Sequence, residues 1–288
     1  MTWGTEPPWQ PPDHPRGGIM LRELRRAAGL TLIELAGRLD DAGVRIDAAH
    51  LQRIETGRIK RPAAETIEAI LRAGFDAPYL VRRDVLDAYG YRLPWELPTP
   101  QEVEEARRLF ANELAAATWP VYFMDYSLRI WGWNGYFPRL LGRAPDDPFN
   151  ERFVGVTHVD LVLNPELGTH RQIANAADFA PVMLAMVKIY AKPYQHEPWY
   201  AELVTRIRSW PGIAALWDAL PDDVDTVLPT QTVLPVEIRV PGIVPSMRFR
   251  ITVITFSLDP RFQIVHLIPF GAATLRECAT WAEEAGEP

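Results

Sequence analysis

At 288 residues and 48% hydrophobic content, the chain is long enough for two ordinary domains and too apolar for wholesale disorder. A net charge of −7 excludes a protein that is basic throughout, and the single cysteine, Cys278, excludes a disulfide framework, so the cytoplasm is the expected compartment. No apolar run approaches the ~18 residues of a membrane span and no charged-then-apolar signal opens the chain, so neither a membrane partner nor export is expected.

Residues 1–15 hold five of the 27 prolines and read as a disordered arm. Residues 16–92 then read as five short helices. Leu21, Leu24 and Ala28 recur at helical spacing, and Gly29 is suited to the left-handed turn that ends a helix. Thr31 with Glu34 three residues on has the pattern of a capping box, and Leu32, Leu35, Ala36 and Leu39 form the apolar side of the second helix. Asp47 caps a third helix with Leu51 and Ile54 inward, Gly57 stops it, and Pro62 opens a fourth helix carrying Ile67, Ile70 and Leu71. Asp76 to Tyr89 reads as a fifth, with Leu80, Val81, Val85 and Leu86 inward and Arg82 and Arg83 outward.

The acidity is unevenly spread: residues 16–92 carry 14 basic and 11 acidic side chains, so the excess of acid lies in the rest of the chain. Within nine positions, Arg53, Arg58, Lys60 and Arg61 stand with Glu55 as the only acid. A solvated charged loop has this composition too. Directly behind a short capped helix, however, it is the placement that holds phosphates while the helix enters a major groove.

Leu-Arg-x-Leu-Arg at 21–25, Gly-Leu-Thr at 29–31, Glu-Leu-Ala at 34–36, Leu-x-Arg-Ile-Glu-x-Gly at 51–57, Pro62 and Ile67 together resemble the XRE-type (Cro and phage-repressor-like) helix-turn-helix family. The segment from Asp40 to Ile46 is longer than the family's usual turn. The resemblance implies that Ala48, Ala49, His50 and Arg53 form the reading surface with Gln52 at its edge. It also implies that Arg58, Lys60 and Arg61 bind phosphates and that Glu55 turns inward. Arg53 is suited to fork onto guanine, His50 to exchange a hydrogen bond with a base, and the two alanines to touch thymine methyls.

Pro94, Pro98 and Pro100 mark residues 93–100 as a stiff linker. Residues 101–288 read as a second domain. A helix to Ala117 has Val103, Ala106, Leu109, Phe110 and Leu114 on one side. Strands follow at Val121 to Tyr126 and Arg129 to Trp133, then Asn134 and a helical turn from Phe137 to Gly142. Arg171 to Lys192, Trp199 to Trp210 and a segment starting at Ser209 read as helices. Three strands, Thr230 to Val240, Ser246 to Leu258 and Phe262 to Phe270, and a helix from Thr274 to Glu284 close the chain. Residues 143–168 have no assignable pattern. Trp131 and Trp133 either pack beneath the first helix of this domain or mark a dimer surface.

Two strands and three strands around a helical middle is the order of a PAS domain. Trp119-Pro120, Asp125, Trp133-Asn134, Glu202-Leu203-Val204 and Leu216-Trp217 resemble the ligand-binding domain of MmyB-like transcription regulators. The fold class expected is therefore α+β: an all-α five-helix helix-turn-helix domain, then a PAS-like five-stranded antiparallel sheet with a helical insert.

Alternation puts Met247, Phe249, Ile251 and Val253 on one strand face, and Phe262, Ile264, His266 and Ile268 are expected beside them. Tyr122 and Met124 join from the first strand, and Phe137, Met183, Met186 and Tyr190 are placed as a roof. By periodicity alone this is ordinary core, and His266 a satisfied core histidine. The resemblance implies instead a cavity holding a small apolar effector, a lipid of long-chain, fatty-acid-like character.

The six histidines have no metal-ligand spacing, and no phosphate loop or serine elbow is present. No pattern supplies ligands for the haem or flavin that some PAS domains carry. No enzyme activity, metal or cofactor is expected beyond a bound lipid of that kind. The reading is a regulator, expected as a homodimer, that binds a double-stranded DNA operator and answers to the apolar ligand. The alternative is a constitutive DNA-binding regulator whose second domain only dimerises or recruits a partner.

Overall fold

The computed structural model describes residues 16–221 and 235–285. The chain divides into two compact units, up to Glu96 and from Leu97. The arm expected over residues 1–15 lies outside the described residues, as do residues 230–234 of the third expected strand.

The first unit is all helical: α1 (Arg16–Ala27), α2 (Leu32–Asp41), α3 (Ala48–Glu55), α4 (Ala64–Ala69), which runs into a π-turn at Ile70–Gly74, and α5 (Tyr79–Ala88). Local chemistry sets the boundaries. Gly29 takes φ +69° after α1, where a side chain would be strained. Thr31 Oγ1 accepts from Glu34 N while Glu34 Oε2 accepts from Thr31 N, closing the capping box of α2. Asp47 Oδ1 accepts from His50 N at 2.6 Å and starts α3. The long α2–α3 connection is held because Val44 and Ile46 pack against the core. That core gathers Leu21, Leu35, Leu39, Leu51, Ile54, Ile67, Ile70, Leu71 and Val85.

Three expectations fail here. Pro62 precedes α4 instead of opening it, and its carbonyl accepts from the Tyr91 hydroxyl at 2.7 Å. Arg82 points inward and is buried, because Glu68 and Glu96 supply carboxylates on either side of its guanidinium. The first half of the expected linker also belongs to this unit: Leu93 is buried in the core, and Glu96 binds Arg82.

In the second unit a sheet of order β2-β1-β5-β4-β3 is antiparallel throughout. Its strands are β1 (Val121–Asp125), β2 (Ile130–Trp133), β3 (Val236–Ile238), β4 (Met247–Thr255) and β5 (Phe262–Pro269). The helix α6 (Pro100–Ala116) precedes it and α12 (Ala272–Ala285) follows. Between β2 and β3 come α7 (Tyr136–Leu140), α8 (His158–Leu163), α9 (Ala176–Ala191), α10 (Pro198–Ser209) and α11 (Pro211–Ala219). The unreadable stretch 143–168 holds a 3-10 turn at Pro148–Phe153 and α8, whose first turn is capped by Thr157. The helix expected from Arg171 begins only at Ala176, after a 3-10 turn at Thr169–Gln172.

Two buried polar residues fix the β1–β2 region. Asp125 accepts from Ser127 N and Oγ and from Trp131 Nε1 (2.8, 2.6 and 2.8 Å), which braces the turn while Leu128 takes φ +68°. Asn134 donates to the carbonyls of Ala117 and Trp119 and accepts from Val121 N, tying the entry of β1 to the exit of β2.

Each face of the sheet has its own cover. Val121, Phe123, Phe262 and Ile264 pack beneath Val103, Ala106, Phe110 and Leu114 of α6, with Trp131 against the same cluster. Leu109 does not take part: it is 53% exposed. The opposite face carries Tyr122, Ile251 and Leu267 beneath the helical insert.

Register overturns the expected pairing of β4 and β5. Ile251 lies opposite Leu267 and Val253 opposite Val265, so odd positions face odd positions. Phe262, Ile264, His266 and Ile268 therefore point away from the Met247, Phe249, Ile251 set. A change of one residue in the connection turns a whole strand over.

Candidate nucleic-acid interface and ligand cavity

On α3, Leu51, Ile54 and Glu55 are buried, while Ala49, Gln52, Arg53 and Thr56 are exposed. Spacings of three and four place those four on one outward stripe. Ala48 and His50 are half-buried at its start, and Arg58, Lys60 and Arg61 are exposed just beyond its end. Among the described residues, Arg53, Arg58, Lys60 and Arg61 form no salt bridge, so their charges are available to an anion. Arg61 lies with its guanidinium 5.0 Å from the Tyr91 ring centroid, which orients it without neutralising it.

Glu55 turns away from the stripe. Its two oxygens accept from Arg25 Nε and Nη2 at 2.7 and 2.8 Å, and Arg25 Nη1 donates to the Leu30 carbonyl. The hydrogen bond to Glu55 raises the Arg25 pKa further. The fork joins α1, the turn before α2 and the last turn of α3. Gly18 is the second device: a Cβ there would lie 2.6 Å from the Ile54 carbonyl oxygen, so α1 meets α3 backbone to backbone.

In the second unit the expected lining separates into three groups. Tyr122, Phe137 and Ile251 do line a cavity of about 60 Å³ between the sheet and the insert. Met124, Met183 and Phe249 are buried outside that lining, and the Tyr190 hydroxyl accepts from Gln263 Nε2 at 2.8 Å. The rest are misplaced. Met186 (53% exposed) and Val253 (45% exposed) are open to solvent, and Ile264 packs under α6 on the far face. His266, also on that face, accepts from Trp119 Nε1 at 3.3 Å.

The sequence reading missed the wall supplied by residues 140–179: Leu140, His158, Leu161, Val162, Ile173 and Phe179. The Thr157 cap with an apolar run behind it was the available signal for α8. His158 is half-buried and its Nδ1 is hydrogen-bonded to the Tyr122 hydroxyl. Burial pushes its pKa down to about 4 from 6.5 and the Tyr122 pKa up.

The unfolded chain therefore takes up this proton at higher pH than the folded one. The contribution is intact above pH 6.5, declines as pH falls toward 4, and is flat below. The expected loss is about 3 kcal/mol. Urea unfolding midpoints followed from pH 7 to 4 are expected to fall less steeply in His158→Gln; equal slopes would contradict the assignment.

A second chamber of about 400 Å³ lies between α8, α9 and α11 and shares Val162, Ile173 and Phe179 with the first as a dividing wall. Among the described residues, no group of three or more His, Cys, Asp or Glu side chains is placed to hold a metal, and no helix is long and apolar enough to cross a membrane.

Residues 18–83 match the family described as a helix-turn-helix domain. The first unit is thus a helix-turn-helix domain, and it marks the chain as a DNA-binding regulator. No curated protein matches the chain.

Proposed function

We propose that the chain is a sequence-specific transcription regulator whose PAS-like second domain, of MmyB-like type, senses a small apolar molecule with a fatty-acid-like chain. The observation that carries this is the outward stripe of α3 continued by unpaired cations, in a chain whose other unit contains apolar chambers under a helical insert. Arg53, Gln52, Ala49 and His50 read base edges while Arg58, Lys60 and Arg61 hold phosphates. The protein acts in the cytoplasm as a homodimer on a two-fold operator, without enzymatic activity, metal or other cofactor. Ligand changes operator affinity by binding one conformation more tightly than another.

The test has two parts. Native mass spectrometry of the purified chain is expected to show a bound small molecule that organic extraction removes. Stripped and loaded protein are then expected to differ roughly 5-fold or more in affinity for a duplex selected from random sequence. Equal affinities would remove the sensor role and leave a constitutive regulator whose second domain dimerises or recruits a partner.

A further inference from the structure

The two chambers under the helical insert differ in capacity. The inner one, at about 60 Å³, is far below the ~300–1,000 Å³ of ordinary ligand pockets, and three of its polar side chains are already engaged: Tyr122 with His158, and Thr169 Oγ1 with the Leu161 carbonyl. The outer one, at about 400 Å³, falls within that range. Its base is built from buried Leu163, Phe179, Ala180 and Trp210, and among the described residues no Asp, Glu, Lys or Arg lines it. His170 lines it, and among the described residues the buried Nδ1 of that ring has no hydrogen-bond partner.

We propose that the ligand of this unit is uncharged and occupies the outer chamber, its apolar body along α9 and its one hydrogen-bonding group on His170. An ionised head seated on this apolar base would shed water without meeting a cation among the described residues, which is unfavourable. A hydroxyl, ester or amide meets no such penalty and satisfies the orphaned nitrogen. The shared wall of Val162, Ile173 and Phe179 links the occupied chamber to the sheet-side cavity, so filling one bears on the packing of the other. The inference rests on the sensor reading for its biological use and narrows the ligand to a neutral chain-like molecule. The site itself is tested without DNA.

The experiment is calorimetric titration of the stripped full chain with 1-decanol and with decanoate at pH 8. Decanol is expected to bind at least tenfold more tightly. Ala177→Trp, at an exposed lining position, is expected to weaken decanol at least tenfold with an unchanged far-UV spectrum. His170→Phe is expected to weaken it several-fold. Equal or tighter binding of decanoate, no binding of decanol, or affinity unmoved by both substitutions overturns the proposal. Decanol that binds as expected but leaves duplex affinity unchanged removes the sensor role and leaves the site standing.

Discussion

Arg53→Ala is expected to abolish discrimination between the preferred duplex and an unrelated one while leaving weak, salt-sensitive binding. Arg53 is exposed on the outward stripe of α3 and unpaired among the described residues, so its guanidinium loses nothing within the protein on forking onto a base. A bidentate contact of this kind discriminates by roughly 1–3 kcal/mol, or about 5- to 150-fold. Arg58→Ala or Lys60→Ala is expected to weaken both duplexes alike and flatten the salt dependence, because a phosphate contact carries no sequence information. Anisotropy titrations of both duplexes at two salt concentrations separate the cases. Unchanged specificity in Arg53→Ala would mean that α3 is not the reading helix.

The second large effect lies in the other unit. Arg261→Met is expected to cost about 3–5 kcal/mol of stability, the range for removing one partner of a buried ion pair. Arg261 is 1% exposed, and its guanidinium donates to Asp259 at 2.8 and 3.0 Å and to Glu102 Oε1 at 3.0 Å. These partners raise its pKa even though burial opposes the charge. Without the cation, the buried Asp259 carboxylate is left with no compensating charge. Glu102 also caps α6 through Thr99 N, so the loss extends from the β4–β5 connection to the first turn of that helix. Chemical unfolding of the full chain measures the cost. The double substitution Asp259→Asn with Arg261→Met is expected to cost less than the two single losses summed. Additive losses would show that the pair does not act as a unit.

What was legible in the sequence was what local chemistry decides. Thr31 with Glu34 and Asp47 with His50 act within one turn, so α2 and α3 start where the caps put them. Arg82 was misread because its partners Glu68 and Glu96 stand fourteen residues away on either side, beyond any helical window. The β4–β5 pairing was misread because face depends on the parity of the connection, where Phe256 N donates to the Phe262 carbonyl, and alternation along each strand is silent on that. Ile264 and His266 went to the wrong face together for this single reason. The cavity wall around His158 was missed because α8 is only six residues long, too short for periodicity to announce it. The outward stripe on α3, by contrast, follows from which of its positions are apolar.

Gly18 bears on how such a domain can diversify. With bare backbone supporting its last turn from behind, α3 has no slack to tilt or slide, and any larger residue in that position would displace it. New operator preferences must then arise by exchanging the outward side chains at 49, 52 and 53, which the interior does not touch.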